Sequence, residues 1–335
     1  ESADYILFYG ESPHIWNYNA SSGLFNHQTH LFADEVNYFL IIDNQQDGKR
    51  VEVKQAFQNA TKIVTSFNEF SFHETENENL IHSGKEWFGE RFDIQNNQSF
   101  DFNFPNLDQF SPLSIKTAVV ARSLVPSVFT VSVNSTPLNT ISVNNIVTTY
   151  ATEYAKTASK TTNYNASSSN ITITIDYSSS DNGASAWLNY IEINARRALK
   201  MSGSAMLFRD VELMTNEVAT YQLGNATSAI TIWDVSNTTA ITELPTIFNS
   251  GVLSFNDSIN ELHEYLAFNG SSYLTPILKG SVSNQNLHNT PSDVEYVIVS
   301  HPNFLSAAER LAEFHTIQDN LKSVIVTPQQ IYNEF

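Results

Sequence analysis

Apolar and polar residues alternate with a period of two over residues 99–104, partly over 128–133, and again over 170–175. That period marks strands with one face buried. Residues 114–122, 141–147 and 187–193 predict three more strands, separated by turn residues at 134–137 and 181–183. Six or more short strands in residues 86–200 predict a β-sandwich, jelly-roll in type. Ahead of it, residues 4–9 and 36–42 predict strands. The second closes on turn residues at 43–44 and 47–48, with 49–53 as its returning hairpin partner. Residues 57–81 are polar and acidic and read as a loop. Residues 201–290 read as a second β unit, with strands at 230–235, 251–255 and 262–268. It shares its aromatic texture with residues 1–85, and the two can form one discontinuous domain into which 86–200 is inserted.

The period changes at the end of the chain. Residues 294–301 form a short β-branched and aromatic run, broken by Pro302 and Asn303. Phe304, Leu305, Ala308, Leu311, Ala312 and His315 then follow helical spacing, and Ser306 with Glu309 has capping-box spacing. After a polar turn at 318–320, residues 321–326 predict a strand, and 329–335 the start of another helix. Strand, helix and strand with short links imply a parallel right-handed crossover, so residues 291–335 read as the truncated start of an α/β domain. The predicted fold is therefore mainly β, ending in one α/β crossover.

Composition narrows the function classes. The 335 residues carry 41% apolar and 12% aromatic residues, enough for substantial cores. A formal charge of −18 disfavours nucleic acid as a partner. The chain has no cysteine, which removes disulfides, thiolate metal sites and a cysteine nucleophile from these residues. No apolar run approaches the roughly 20 residues that a spanning helix needs. Sparse charge with abundant Asn, Ser and Thr suits an extracellular β-rich protein.

Candidate chemistry is thin. His27 and His30 stand three apart, a spacing that on a helix brings two metal ligands together, but no acidic third ligand lies nearby in sequence. The reading preferred for them is two polar residues in an aromatic-rich loop. Glu74, Glu76 and Glu78 suggest a calcium site, yet the glycine-turned loop of a dedicated site is missing, and a solvated acidic loop fits better. No cofactor is expected, and a structural calcium has no location. Trp187 and Tyr190 are the candidate contacts for a sugar or cargo ligand, although large aromatics in a strand favour the core. His301, between a strand and Pro302, is expected to shape its loop. His315 falls on the helix's apolar stripe. Gly-x-Ser-x-Gly, a Gly-rich phosphate loop and His-Glu-x-x-His are all absent.

Residues 298–315, read from Ile298-Val-Ser-His-Pro-Asn-Phe-Leu-Ser, and residues 324–335 resemble the opening of gingipain-type cysteine peptidase domains. The version they resemble most is the cell-surface sortase of the type IX secretion system of Bacteroidetes. Asp4-Tyr-Ile-Leu-Phe-Tyr-Gly10 with Trp16, and the stretch from Trp187-Leu-Asn-Tyr to Leu199, fit the same family. The resemblance implies a non-catalytic N-terminal region of a peptidase whose catalytic His and Cys lie beyond Phe335. It further implies secreted cargo with C-terminal sorting domains and other secretion components as partners, at the outer-membrane cell surface. The competing expectation is an adhesin or carbohydrate-binding β module with no peptidase attached.

Overall fold

The computed structural model describes residues 5–42, 48–149, 153–215 and 217–335. The chain divides into two compact units, Glu1–Tyr273 and Leu274–Phe335. The first is built of strands. Its opening stretch supplies β1 (Ile15–Asn19), β2 (Leu24–Gln28), β3 (Glu52–Val53), β4 (Lys62–Val64) and β5 (Ser66–Glu74). Next come β6 (Arg91–Phe92), β7 (Asn97–Asn103), β8 (Leu113–Arg122), β9 (Ser127–Val133), β10 (Thr136–Val143), β11 (Lys156–Tyr164), β12 (Asn170–Ser178) and β13 (Ser185–Ala198). The remainder are β14 (Ala205–Arg209), β15 (Val218–Leu223), β16 (Thr231–Asp234), β17 (Thr242–Glu243), β18 (Ile247–Asn249), β19 (Val252–Ser258) and β20 (Glu264–Phe268).

One long sheet runs in the order β11-β8-β13-β5-β14-β20-β16-β17-β3, with β6 beside β13. Two four-stranded sheets close two cores against it. The sheet β10-β9-β12-β7 points Phe100, Phe102, Phe129, Val131, Ile171 and Ile173 at Leu113, Ile115, Ile191 and Ile193. Their period-two spacing is what puts them on one face. Asn134 and Ser135 take the left-handed conformation between β9 and β10 (φ 47° and 64°), the geometry of a two-residue hairpin turn. The sheet β18-β19-β15-β4 closes the second core around Phe208, Tyr221, Phe255 and Tyr265, where Tyr221 and Phe255 stack at 4.8 Å.

β5 lies where the two cores meet. It pairs with β13 along 66–74 and touches β14 at Asn68. Within the loop expected over residues 57–81 the structure thus places β4 and the nine-residue internal strand β5, while 57–61 and 75–77 stay irregular. The polar residues of β5 misled because their partners are remote in sequence. Two other expectations also change. Residues 5–10 and 36–42 join no ladder; Tyr38 instead packs on Phe8 at 5.3 Å, and its hydroxyl accepts the Glu11 amide at 2.5 Å. Residues 49–53 do not return as a hairpin: β3 runs parallel to β17. Of the turn residues expected at 43–44 and 47–48, positions 43, 44 and 47 lie outside the described residues. β11, which lacks a regular apolar alternation, was not anticipated.

The second unit pairs β21 (Tyr296–Val299) with β22 (Ser323–Val326) in parallel, joined by helix α1 (Leu305–Asp319), and α2 (Pro328–Tyr332) follows. This is the expected crossover. Ser306 does not cap α1; a 3-10 turn, Pro302–Phe304, precedes the helix, and His301 caps that turn. The capping box lies instead at Thr327 and Gln330, opening α2. α1 ends on Asn320 in the left-handed conformation (φ 55°). Among the described residues no helix is long and apolar enough to cross a membrane.

Candidate functional site

On β13 the core takes Ile191, Ile193 and Ala195, so the pleat turns Tyr190, Glu192, Asn194 and Arg196 to the opposite face of the long sheet. The hairpin β1–β2 lies on that face. It is held by side chains. The Phe25 amide donates to Asn194 Oδ1 at 2.7 Å, and Asn194 Nδ2 donates to the Phe25 carbonyl at 3.0 Å, imitating a ladder step. Phe25 is buried between Trp16 and Tyr18, with ring centroids 5.1 Å from each.

Beside it stands His27. Its Nε2 is 2.6 Å from Glu74 Oε2 on β5, and its Nδ1 is 2.8 Å from Glu192 Oε1 on β13. Glu192 Oε1 also accepts the His27 amide at 2.9 Å, and its other oxygen meets Lys116 Nζ at 3.2 Å. Phe72 stacks on the imidazole at 4.4 Å, and Tyr190 meets it edge-on at 4.8 Å. Burial opposes a charge on the ring, but hydrogen bonds to Glu192 and Glu74 and their negative charge outweigh it, raising the pKa to about 9. Glu192 moves the other way: burial pushes its carboxyl up, and the His27 and Lys116 contacts hold it below the ordinary value.

Directly across the ladder from His27, the Trp16 indole donates to Glu264 Oε1 at 3.0 Å. The same oxygen accepts from Arg209 Nε and Nη2 at 2.9 and 2.6 Å, and the Arg209 guanidinium lies 4.7 Å from the Trp16 ring centre. The hairpin is thus fixed at three places, across β5, β13, β14 and β20.

A second polar cluster lies deeper. Asp234, Asp257 and His263 offer ligand atoms within 4.8 Å of one another, a grouping able to hold a cation. Lys54 already supplies the positive charge. Its Nζ is 2.8 and 2.9 Å from the two oxygens of Asp257 and 3.4 Å from Asp234. Tyr265 donates to Asp257 at 3.1 Å, and Ser236 donates to Asp234. Burial pushes the Asp234 carboxyl up, but hydrogen bonds from His263 and Ser236 hold it well below the usual range. This arrangement neutralises its own charge and ties β3's flank to β16 and β19.

The residues singled out from sequence fall as follows. Trp187 is 2% exposed, packs with Phe88 and Val120, and donates its indole proton to Glu78 Oε2 at 2.8 Å. Tyr190 is half-buried, with Lys116 Nζ 4.8 Å from its ring centre. Neither ring is held out as an open platform. Glu74 ends β5 and serves His27, whereas Glu76 is exposed in the irregular segment that follows and Glu78, its side chain 40% exposed, accepts the Trp187 indole; the acidic loop holds for the last two and not for Glu74. His27 sits on a strand, where the three-residue spacing separates it from the exposed His30. The acidic groups that sequence proximity failed to supply arrive from β5 and β13. His301 accepts the Asn303 amide at 3.2 Å, its expected loop-shaping part. His315 pairs with Asp319 at 2.6 Å and packs edge-on against Tyr296. Glu192, Lys116, Arg209 and Glu264 went unnoticed; the available signal was polar residues interrupting otherwise apolar strands.

The model of peptidase family C25 matches residues 289–335, the segment holding β21, α1 and β22. Dimeric latent PorU from Porphyromonas gingivalis superposes with a TM-score of 0.78 over 98% of this chain, at 18% identity. The fold is that of PorU. This chain covers 32% of the PorU chain. An insecticidal delta-endotoxin from Bacillus thuringiensis matches 31% of this chain and 19% of its own, at 17% identity and a TM-score of 0.25. A carbohydrate-binding module solved with calcium and xylotriose matches 29% of this chain and 71% of its own, at 10% identity and a TM-score of 0.21. Similarities at that level carry no argument. No curated protein matches the sequence.

Proposed function

We propose that this chain is the non-catalytic N-terminal region of a cell-surface cysteine endopeptidase of gingipain type, a sortase that removes C-terminal sorting domains from secreted cargo. The observation supporting this reading most directly is the pairing of a family C25 match at residues 289–335 with a PorU-like fold over nearly the whole chain. The chain carries no cysteine, so the thiolate that such chemistry requires must come from a further part of the protein. β21 and β22 would form the first two strands of the peptidase sheet, and the β units of residues 1–290 would position the enzyme at the outer membrane or engage cargo. Secreted cargo and other secretion components are the proposed partners.

Two measurements test the reading. The coding sequence that continues past Phe335 should specify a His and a Cys at successive strand ends of the same α/β domain. The purified 335-residue chain should hydrolyse no peptide and take up no thiol-directed inhibitor. A continuation without that pair, or peptide cleavage traced to these residues, overturns the proposal.

A further inference from the structure

The contacts of His27 pose a chemical question that the proposed function leaves untouched. A neutral imidazole has one N–H and one lone pair. Here both ring nitrogens face carboxylate oxygens, at 2.6 Å (Glu74) and 2.8 Å (Glu192), and carboxylates only accept. Only the doubly protonated ring satisfies both. The histidine side chain is 6% exposed, and Glu74 and Glu192 are 11% and 3% exposed, so water cannot readily take a lost partner's place.

The charged groups around it come from every element it packs on. β5 supplies Glu74, β13 supplies Glu192 and Tyr190, and β8 supplies Lys116. Arg209 of β14 and Glu264 of β20 meet Trp16, the residue paired with His27 across the hairpin, and His14 lies just ahead of β1, edge-on to Phe72 at 6.4 Å. Removing the proton leaves an imidazole lone pair against one carboxylate, with Lys116 still paired to Glu192.

We infer that the β1–β2 hairpin is a latch on the long sheet, closed by a charged His27 bridging Glu74 and Glu192 and released when that charge is lost. Release would uncover the face carrying Phe70, Phe72, Tyr190 and Asn194, which the closed hairpin covers. The sign follows from linkage. A group held above its ordinary value contributes fully below that value, here 6.5, and loses its contribution as pH rises through about 9. Between those limits the opening equilibrium rises about tenfold per pH unit.

The test is hydrogen exchange by mass spectrometry on the whole chain from pH 6 to 9.5, each rate divided by its intrinsic chemical rate. Protection of peptides covering 15–28 should fall roughly a hundredfold between pH 6.5 and 9, while a β12 peptide stays level. His27→Gln should abolish the pH dependence and leave the hairpin poorly protected throughout. Glu74→Gln should move the loss to lower pH. His14→Gln and His30→Gln should change nothing. Level protection of 15–28 across this range in the unaltered chain overturns the inference. So does an unchanged profile in His27→Gln, or a β12 peptide that loses protection in step. If His27→Gln does not fold, the unaltered chain and Glu74→Gln decide the matter.

Discussion

Asp257 offers the sharpest stability test, because its ion pair and hydrogen bonds are defined. Its side chain is 0% exposed; Lys54 meets both oxygens at 2.8 and 2.9 Å, Tyr265 donates to Oδ2 at 3.1 Å, and the Ser258 amide donates to Oδ1 at 2.8 Å. Asp257→Ala removes the acceptor for all three donors and leaves the ammonium with Asp234 at 3.4 Å. At an effective dielectric of ~20 the lost attraction is about 5 kcal/mol, partly offset by the desolvation the carboxylate no longer suffers. Lys54 is 25% exposed and can turn partly to water, which trims the loss further. The expected net cost is about 3–4 kcal/mol, within the range for breaking a buried pair. Lys54→Met should cost a similar amount, since it leaves Asp257 buried without its cation. The double variant should be less destabilised than the sum of the singles by about 2 kcal/mol. Urea denaturation with tryptophan fluorescence measures all three, provided the slope with denaturant stays constant. A cost below about 1 kcal/mol for Asp257→Ala, or strict additivity in the double variant, would refute this account.

Other features give further expectations. Trp187→Phe should cost about 1–3 kcal/mol in thermal or chemical denaturation, because it leaves the Glu78 carboxylate without its indole donor and opens a gap beside Phe88 and Val120. Glu334 accepts from the Leu287 and His288 amides and from Gln285; burial opposes its charge, but these bonds hold its pKa down to about 2. A depressed carboxylate contributes above its ordinary value of 4.5 and loses that contribution as pH falls towards 2, so residues 285–290 should lose exchange protection in that window, and Glu334→Gln should show the loss already at pH 7. At Asn320, with φ 55°, replacement by glycine should leave stability within a few tenths of a kcal/mol, whereas valine should cost about 1–2 kcal/mol by melting. We also propose that residues 86–200 form a separable sandwich; expressed alone, they should melt cooperatively, and adding 62–85 should raise the melting temperature by restoring β5 beside β13.

What the sequence disclosed tracks how local each determinant is. β7, β9 and β12 carry their own alternation, and β21, α1 and β22 carry a change of period, so both were legible without knowledge of their neighbours. β5 was not. Its Glu74 finds its partner 47 residues away, and Asn194 meets Phe25 across 169 residues. A polar residue in a strand reads as surface until the partner that buries it is known. The reverse error arose at residues 36–42, where β-branched and aromatic side chains suggested a strand. Propensity supplies an extended backbone, but a ladder needs a neighbouring strand, and there the Tyr38 side chain packs on Phe8 and meets the Glu11 amide instead. His27 shows both effects. Judged against its sequence neighbours it had no acidic partner, and the fold supplies two.

Buried charge also changes what the net charge means. The chain has 17 Lys and Arg against 35 Asp and Glu. Arg196, Arg197 and Arg209 are all buried, each against a carboxylate: Asp210, Glu69 and Glu264. Each such pair removes one positive and one negative group from the surface, so the imbalance of −18 falls on fewer exposed charges than composition suggests. The solvent-facing chain is therefore more one-sidedly acidic than the sequence average, and acidic partners are repelled accordingly. The same burial explains why the hairpin is held by charge at all. On a face carrying Glu74, Glu192 and Glu264, a hairpin with no cation to offer would leave those carboxylates facing one another. Lys116 pairs with Glu192 and Arg209 with Glu264, and His27 is the cationic group the hairpin itself brings to its contacts with that face.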